Sequence, residues 1–361
     1  MTEVLPTYHI IGGGLSGLMC AKFLKMHNPK VKVALYEASS QIGGKLSSYY
    51  YPPWMMNLDN ATHMILSSQK IMRQFVHDDE WHKSVLFAQM PEVNLSVSPE
   101  ENQEVLLKSL CRGSIENISP KLRNSLQRFY FSSKKTMPKF YTTCGNLNTR
   151  IVNLLAPFAD VITYDCELKK MQVMKGRVYG LLFNQGRIKL GKNDRVILAL
   201  DNAETSALLA LPKLQSTSSL SVNYYTSQTI FFPHGASFIG LQGGIADWIV
   251  VNPNLITAFI YDYCQEFSTY DKLALKIWSE IAQIRGVNSG FTPSYKVNVF
   301  TDTGIKIDDA NNALRPDNAL SKYDNVFICG DWTMKDYPCC METAALSAQR
   351  AVRAAYKAKL K

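Results

Sequence analysis

The chain has 361 residues, of which 46% are hydrophobic, and its 39 lysines and arginines against 30 aspartates and glutamates give a net charge of +9. This length and composition predict a folded protein of roughly two domains and exclude a disordered or low-complexity chain. The basic residues are scattered along the sequence without a zinc-finger spacing or a helix-turn-helix pattern, so we predict no nucleic-acid partner.

The first predicted elements are a strand, a glycine-rich turn, a helix and a second strand, which together span Tyr8 to Glu37. Backbone N–H groups at a helix N-terminus bind a pyrophosphate, and spaced glycines let the chain turn, approach the phosphates and pack helix on strand. The acid after the second strand is placed to accept a ribose hydroxyl and disfavours a 2′-phosphate. The order and spacing therefore predict a dinucleotide site, with Gly12, Gly14, Leu15, Ser16, Gly17, Glu37 and Ala38 as binding residues.

A second glycine pair follows in the segment Gln41-Ile42-Gly43-Gly44-Lys45. Gly43 and Gly44 let the backbone pass close to a cofactor, and Lys45 places a cation near its pyrophosphate or ribityl chain. The pair resembles the motif that flavoproteins of the amine oxidase and phytoene desaturase superfamily carry after their second strand. The resemblance implies that the cofactor is FAD.

The middle of the chain predicts two inserts of different texture. Residues 67–140, the first insert, have a mostly helical pattern. Residues 162–200, which lie between the two inserts, predict a strand meander. Beyond residue 220 the pattern predicts antiparallel strands and a helix near Lys272–Ile284. The predicted strands are Val222–Tyr225, Thr229–Phe232, Phe238–Leu241, Trp248–Val251 and Leu255–Tyr261. Tyr224, Phe231, Phe238, Trp248 and Phe259 are candidates for an apolar cavity wall, and an ordinary core is the alternative for each.

The last predicted elements are a buried strand at Val326–Cys329, the segment Gly330-Asp331-Trp332-Thr333 and a helix from about Met341. A helix N-terminus at the flavin stabilises the negative charge that develops on its reduced ring. In the superfamily, a Gly-Asp after the last strand approaches the ribityl region and the following helix points at the flavin. The resemblance therefore implies that Gly330, Asp331, Met341 and Glu342 bind FAD.

Three segments resemble the hydroxysqualene dehydroxylases within that superfamily: Leu58-Asp59-Asn60-Ala61-Thr62-His63, Ala246-Asp247-Trp248-Ile249-Val250, and Gly330 through Glu342. The resemblance implies that Ala61, Thr62, His63 and Leu168 also lie at the cofactor. Ala61 and Thr62 replace a glycine and a glutamine of the family pattern, and Thr343 and Ala348 replace glycines. These bulkier residues leave a shifted cofactor, an altered substrate or lost activity open.

Because the cofactor motifs lie at both ends of the chain, we predict an α/β fold with a discontinuous Rossmann-type FAD-binding domain. This domain comprises residues 1–66, 141–205 and 293–361, as in two-dinucleotide-binding flavoproteins. An α+β substrate domain with a mixed or antiparallel sheet comprises residues 67–140 and 206–292.

The predicted activity is that of an FAD-dependent oxidoreductase acting on an apolar isoprenoid, and the resemblance implies reductive dehydroxylation of hydroxysqualene to squalene. His63 is a candidate proton donor, and a backbone or cofactor contact is its alternative role. Glu342 is a second catalytic candidate, with a helix cap as its alternative. A carotenoid-type desaturase, an amine oxidase and a flavin-binding partner protein without turnover remain open.

The eight cysteines show no C-x-x-C or Cys/His metal spacing, so we predict no metal site and a cytoplasmic location. The sequence contains no apolar run of about eighteen residues and no signal peptide at its start. A lipophilic small-molecule substrate and a basic chain fit peripheral association with an anionic membrane. The aromatic tract from Tyr49 to Met56 is a candidate contact, with core or cavity lining as its alternative. The sequence predicts no oligomeric state.

Overall fold

The computed structural model describes residues 5–59, 64–76, 82–98, 102, 103, 107, 118–131, 138–141, 147–261, 263 and 269–358. A five-stranded parallel sheet joins segments from both ends of the chain, in the order β10-β2-β1-β14-β20. Its strands are short and mostly buried, as expected for a parallel sheet covered on both faces. They are β1 (Thr7–Ile11), β2 (Lys32–Tyr36), β10 (Val161–Thr163), β14 (Arg195–Leu198) and β20 (Val326–Ile328).

Three helices pack on one face of this sheet: α1 (Leu15–His27), α3 (Leu147–Leu155) and α7 (Met341–Lys357). The first and last of them lie side by side because alanines of α7 leave room for a close approach. Ser16 Oγ donates a hydrogen bond to the carbonyl of Ala344 at 3.4 Å, and Cys20 Sγ lies 3.8 Å from the carbonyl of Ala348. The two ends of the chain therefore form one packed layer.

An antiparallel meander covers the other face. Its strands are β11 (Leu168–Met174), β12 (Arg177–Phe183) and β13 (Gly186–Lys189). Val178 and Leu181 are fully buried and join a hydrophobic cluster with Val196 and Ile328 of the parallel sheet. The predicted meander and the Rossmann-type arrangement are confirmed.

A seven-stranded mixed sheet forms the second part of the fold, in the order β19-β15-β18-β17-β16-β7-β8. Helix α5 (Tyr270–Ile284) packs on one face, and α2 (Pro120–Tyr130) contributes to the cluster on the other. Strands β16 and β7 run parallel and the remaining neighbours are antiparallel, which confirms a mixed sheet. The strands are β7 (Val85–Gln89), β8 (Asn94–Ser96), β15 (Ser216–Tyr225), β16 (Phe238–Gln242), β17 (Trp248–Asn252), β18 (Leu255–Tyr261) and β19 (Tyr295–Ile305).

Two predicted elements are wrong. The predicted strand Thr229–Phe232 is coil, because it runs into Pro233, which has no amide for a ladder, and Phe231 is 77% exposed. The described part of residues 67–140 is not mostly helical, since it contains β7. Leu86 and Ala88 face the α5 cluster while Phe87 faces the α2 cluster, so the segment has the period of a strand with two buried faces.

One predicted domain boundary does not fit the sheet. Residues 293–305 were expected in the FAD-binding domain, but β19 pairs with β15 from Ser216 to Tyr224. We propose that the boundary follows Ile305. The rest of the domain division stays a prediction.

The shorter elements connect these two parts. Strands β3 (Ser48–Tyr51) and β4 (Met56–Asp59) form a hairpin, and β5 (Ile65–Leu66), β6 (His82–Lys83) and β9 (Phe140–Tyr141) form a small sheet. The remaining helices of six residues or more in the described segments are α4 (Asn202–Leu209) and α6 (Asp309–Leu314). Within the described residues, no helix is long and apolar enough to cross a bilayer.

The aromatic tract from Tyr49 to Met56 forms the β3–β4 hairpin. The Trp54 ring is buried and stacked on Tyr225 with 5.7 Å between ring centroids, and its Nε1 donates to Ser294 Oγ at 3.0 Å. Tyr50 and Met55 are 58% and 81% exposed. The hairpin thus has one packed side and one exposed side, and no residue of the tract lines the main cavity described below.

Candidate cofactor site

A cavity of about 660 Å³ lies where the parallel strands end. Ile11 and Tyr36 are the last residues of β1 and β2, and Ala199 and Gly330 come shortly after β14 and β20; all four line the cavity. Ligands of doubly wound sheets bind outside the carboxyl ends of the strands, at the point where the strand order reverses. Here β1 lies between β2 and β14, which places the cavity at such a point.

The first glycine turn forms part of the wall. A Cβ added at Gly14 would meet no atom within 4 Å, so this position is open to the cavity. Gly12 has φ +104°, and a Cβ there would lie 2.5 Å from the Ala199 carbonyl oxygen. A Cβ at Gly17 would lie 2.0 Å from the Gly12 carbonyl oxygen, so only glycine lets α1 pack on the turn. Of these three glycines, Gly14 is therefore the one whose backbone is open to the cavity.

Glu37 holds this turn in place. Its Oε2 accepts from the Gly13 amide at 2.7 Å, and its Oε1 accepts from the amide and hydroxyl of Ser39 at 2.8 and 2.7 Å. The second glycine pair lies against the first turn, because the Gly43 amide donates to the Gly13 carbonyl at 2.9 Å. Each carboxylate oxygen has two lone pairs, so Glu37 retains capacity for a ribose hydroxyl.

The C-terminal segment closes the other end of the wall. Ser347 Oγ accepts from the Gly330 amide at 3.0 Å and bonds to Thr333 Oγ1 at 2.7 Å, which fixes the turn after β20. Cys339, Cys340 and Met341 line the cavity where α7 begins. Desolvation raises the pKa of the Cys340 thiol to about 12, so it stays protonated at neutral pH.

Arg315 anchors the segment that leads into α7. The side chain is 2% exposed, and its Nη1 donates to the carbonyls of Met334 and Tyr337 at 2.5 and 2.8 Å. Its Nη2 lies 3.6 Å from Cys339 Sγ. This buried cation therefore stands directly behind the cavity wall at the N-terminus of α7.

Comparison with known families decides the identity. A profile of the NAD(P)-binding Rossmann-like domain matches residues 10–78, and a profile of the flavin containing amine oxidoreductases matches residues 144–355. The chain belongs to the flavin-containing amine oxidoreductase family. It is an FAD-dependent oxidoreductase, as the sequence predicts.

Relatives match nearly the whole length of this flavoenzyme. A hydroxysqualene dehydroxylase of Zymomonas mobilis is 23% identical over 95% of this chain and 97% of its own. One of Rhodopseudomonas palustris is 22% identical over 96% of this chain and 97% of its own. Among solved structures, a putative protoporphyrinogen oxidase from Exiguobacterium has a TM-score of 0.69 at 15% identity, covering 98% of this chain and 99% of its own. This structural likeness supports the fold.

The site fits FAD on two observations. The cavity volume lies within the range of roughly 300–1,000 Å³ that is usual for ligand sites. Helices α1 and α7 begin at the cavity without a side-chain cap, so their first amides are available to a ligand. Asp201 caps α4, which also begins at the cavity, and Ser119, Thr269 and Asp308 cap α2, α5 and α6. Two uncapped helix N-termini on one cavity suit an anionic dinucleotide.

The structure brings most predicted binding residues to this one cavity. Gly17 is not on the wall and packs α1 on the turn instead, and Ala61, Thr62 and His63 lie outside the described residues. The predicted residues on the wall are Gly12, Gly14, Leu15, Ser16, Glu37, Ala38, Gly43, Gly44, Lys45, Leu168, Gly330, Asp331 and Met341. Their individual roles toward FAD stay predictions.

Glu342 requires a correction, because its carboxylate is bound elsewhere. The side chain is 4% exposed, and its two oxygens accept from the backbone amides of Ile71 and Met72 at 2.8–3.0 Å. Burial raises the pKa of this carboxyl group, and the two amides oppose the rise. Glu342 is therefore not a residue of the described wall: it anchors residues 71–72 to the start of α7, and its catalytic role stays a prediction.

For four of the five aromatic candidates, the alternative of an ordinary core is confirmed, and none of the five lines the cavity. Phe231 is exposed, whereas Tyr224, Phe238, Trp248 and Phe259 are buried in the two clusters of the seven-stranded sheet. Tyr224, for example, donates its hydroxyl hydrogen bond to the Ala274 carbonyl of α5 at 2.7 Å. The second part of the fold reaches the cavity with Tyr130 and Tyr261, and the connecting segment around β5 reaches it with Met64, Leu66 and Gln69.

One sequence signal points to wall residues that the motifs missed. Ala199, Leu200 and Asp201 follow the buried strand β14, and the carboxyl end of a parallel strand is where a ligand is expected. Tyr130 ends α2 and Tyr261 ends β18, and neither position carries a local motif. Only the tertiary packing identifies them.

Proposed function

We propose that this flavoenzyme catalyses the reductive dehydroxylation of hydroxysqualene or a closely similar allylic isoprenoid alcohol. The relatives that match at both ends of the chain support this proposal, because the hydroxysqualene dehydroxylases of Zymomonas mobilis and Rhodopseudomonas palustris span it with 95–96% coverage. The chemical character of the cavity wall supports an apolar substrate over a charged one.

The observation that carries the proposal is the uneven distribution of charge around the cavity. The residues that β18, α2 and the connecting segment around β5 contribute to the described wall, namely Tyr261, Tyr130, Met64, Leu66 and Gln69, have no charged group. The carboxylates on the wall are Glu37, Glu167, Asp201 and Asp331, which follow β2, β10, β14 and β20, and Glu204 in the first turn of α4. An uncharged wall favours an isoprenoid over the ammonium group of an amine substrate.

Bound FAD in its reduced form would supply the hydride, the hydroxyl would leave as water with one proton, and the chain supplies position and charge. Uncapped amides at the start of α7 stabilise negative charge at that end of the cavity, with Arg315 behind them. Met64, Leu66 and the two tyrosines exclude water from an apolar chain. We retain His63 as the proposed donor of a proton to the departing hydroxyl, because imidazole can hold or release a proton near neutral pH.

The test is an anaerobic reaction of the purified holoenzyme with its flavin chemically reduced. Hydroxysqualene is added in detergent, flavin reoxidation is followed by absorbance, and the product is extracted. Squalene formed in proportion to oxidised flavin is expected. The proposal fails if no allylic alcohol reoxidises the reduced flavin. If a polyene then reduces the oxidised flavin, a desaturase is favoured, and if an amine does so, an amine oxidase is favoured.

A matched pair of histidine variants tests the proton donor. His63→Asn is expected to lower the rate by about 100-fold or more while the flavin stays bound. His234→Asn is the control, because His234 is exposed and has φ +55°, a conformation that asparagine tolerates. Equal rates for the two variants would remove His63 from the mechanism. A flavin that no substrate oxidises or reduces would support a partner protein without turnover.

A further inference from the structure

The outward face of the meander concentrates positive charge that is scattered along the sequence. Residues 168–193 contain five lysines and two arginines and no aspartate or glutamate. The first row across the three strands places Lys170 opposite Leu182 and Leu182 opposite Arg187. The next row contains Lys189. The expectation of dispersed charge is therefore wrong for this part of the surface.

Little in the described residues compensates this charge. Lys169 pairs with Glu167, and the Arg177 guanidinium donates to the carbonyls of Gly191 and Lys192. Arg187 lies 6.0 Å above the ring of Tyr179, and no carboxylate of the described chain lies within ion-pair distance of Lys170, Arg187 or Lys189. Such a face attracts a polyanion from a distance.

Apolar side chains lie exposed among these cations. Met174 is 64% exposed, and Leu182 and Tyr179 are each 38% exposed, although the opposite face of the same strands is fully packed. In a sheet with one solvated face, the residues that point to solvent are normally polar. Apolar and aromatic groups beside lysines are the combination that favours the interface of a lipid bilayer, where the rings and aliphatic groups enter the headgroup region.

We propose that the outward face of the meander docks on a bilayer that contains anionic lipid. Of the three cations in these two rows, Lys170 and Lys189 are lysines, which act as point charges and suit a diffuse anionic surface better than bidentate readout of a nucleic acid. Leu168 and Lys169 belong both to the meander and to the cavity wall. Docking would therefore bring the cavity close to the membrane. This placement would give a lipophilic substrate access to the cavity, so the inference rests on the proposed function.

The test is flotation of the FAD-loaded protein with vesicles of phosphatidylcholine alone or mixed with phosphatidylglycerol. Binding is expected only to the mixed vesicles and to weaken with added salt. The variant K170E/R187E/K189E is expected to lower the partition coefficient by about 100-fold. The variant K121E/K272E/R353E makes the same change in net charge at three exposed positions on separate helices, and it is expected to change binding less than about threefold.

Each other result overturns the proposal. Equal loss in both triple variants would show an effect of net charge, and unaltered binding of K170E/R187E/K189E would place the contact elsewhere. Loss of binding in Y50S/M55S instead would identify the exposed side of the β3–β4 hairpin as the contact. Binding to RNA but not to mixed vesicles would assign the face to a nucleic acid. Turnover in detergent is measured separately, so failure of the proposed reaction would not change the flotation result.

Discussion

The Rossmann-type part and the seven-stranded sheet differ in how their special residues are used. In the first, Gly14 leaves an open position on the cavity wall and the N-termini of α1 and α7 leave amides uncapped. In the second, the large aromatic residues are packed into cores and the helices carry side-chain caps. In the Rossmann-type part, an open glycine and two uncapped helix N-termini thus lie together at the wall of one cavity.

The same difference explains how much the sequence predicts. Gly12, Glu37, Gly43 and Gly330 follow strands at fixed spacings, so local chemistry is enough to place them at one cavity. Trp248 and Phe238 carry the same apolar signal whether they face a ligand or a core, and only the packing shows that they face α2. Glu342 looks like a catalytic acid in sequence because its partners, the amides of residues 71 and 72, are distant along the chain.

The largest expected effect separates two glycines of one turn. Gly17→Ala should destabilise the protein by about 3 kcal/mol or more, because its Cβ would lie 2.0 Å from the Gly12 carbonyl oxygen and the backbone must move. Gly14→Val should keep the fold, because a Cβ there meets no atom within 4 Å, but should weaken FAD binding by about 100-fold as the side chain enters the cavity. Urea unfolding of the apoprotein and flavin fluorescence titration measure the two effects. Tight flavin binding by Gly14→Val would show that the cofactor does not approach this turn.

A smaller effect compares two buried glutamates that perform the same task in the two parts of the molecule. Glu342 of α7 accepts from the amides of Ile71 and Met72, and Glu280 of α5 accepts from the Ile245 amide at 2.8 Å. Burial raises the pKa of both carboxyl groups. Changing either to alanine leaves buried amides without a partner, which costs about 2–3 kcal/mol.

The two variants should differ in flavin binding. Glu342→Ala loosens the start of α7, which lines the cavity, and should weaken FAD binding severalfold; Glu280→Ala should leave it unchanged because α5 does not reach the cavity. Urea unfolding and flavin titration of each variant, with glutamine at the same position as the conservative control, measure both properties. A Glu342→Gln variant that holds FAD and folds normally but has lost turnover would support Glu342 as a catalytic residue.

The smallest effect contrasts two aspartates with opposite pH dependence. Burial raises the pKa of Asp59 in the hairpin to about 6, and the Ser48 hydroxyl, which donates to it at 2.6 Å, opposes the rise. Although desolvation alone would raise the pKa of Asp194 beside β14, the His9 ring and the amides of Gly191 and Thr7 hold it at about 2. Between about pH 4 and pH 6 the folded protein keeps a proton on Asp59 that the unfolded chain has released, so stability falls as pH rises through this window. Asp194 instead contributes stability above about pH 4 that is lost as pH falls toward 2.

Asparagine at each position removes the titration. Asp59→Asn should raise the unfolding free energy by about 1–2 kcal/mol at neutral pH and have little effect near pH 4, since the Ser48 hydroxyl keeps an acceptor. Asp194→Asn should lower the unfolding free energy by about 1 kcal/mol at neutral pH, a value reduced by the partial exposure of the side chain. Urea unfolding of the apoproteins across this pH range gives the difference curves. The prediction is wrong if the unfolding free energy of Asp59→Asn varies with pH in parallel with that of the unmodified protein. In that case the Asp59 carboxyl is not desolvated, and the packed side of the hairpin is as open to solvent as its exposed side at Met55.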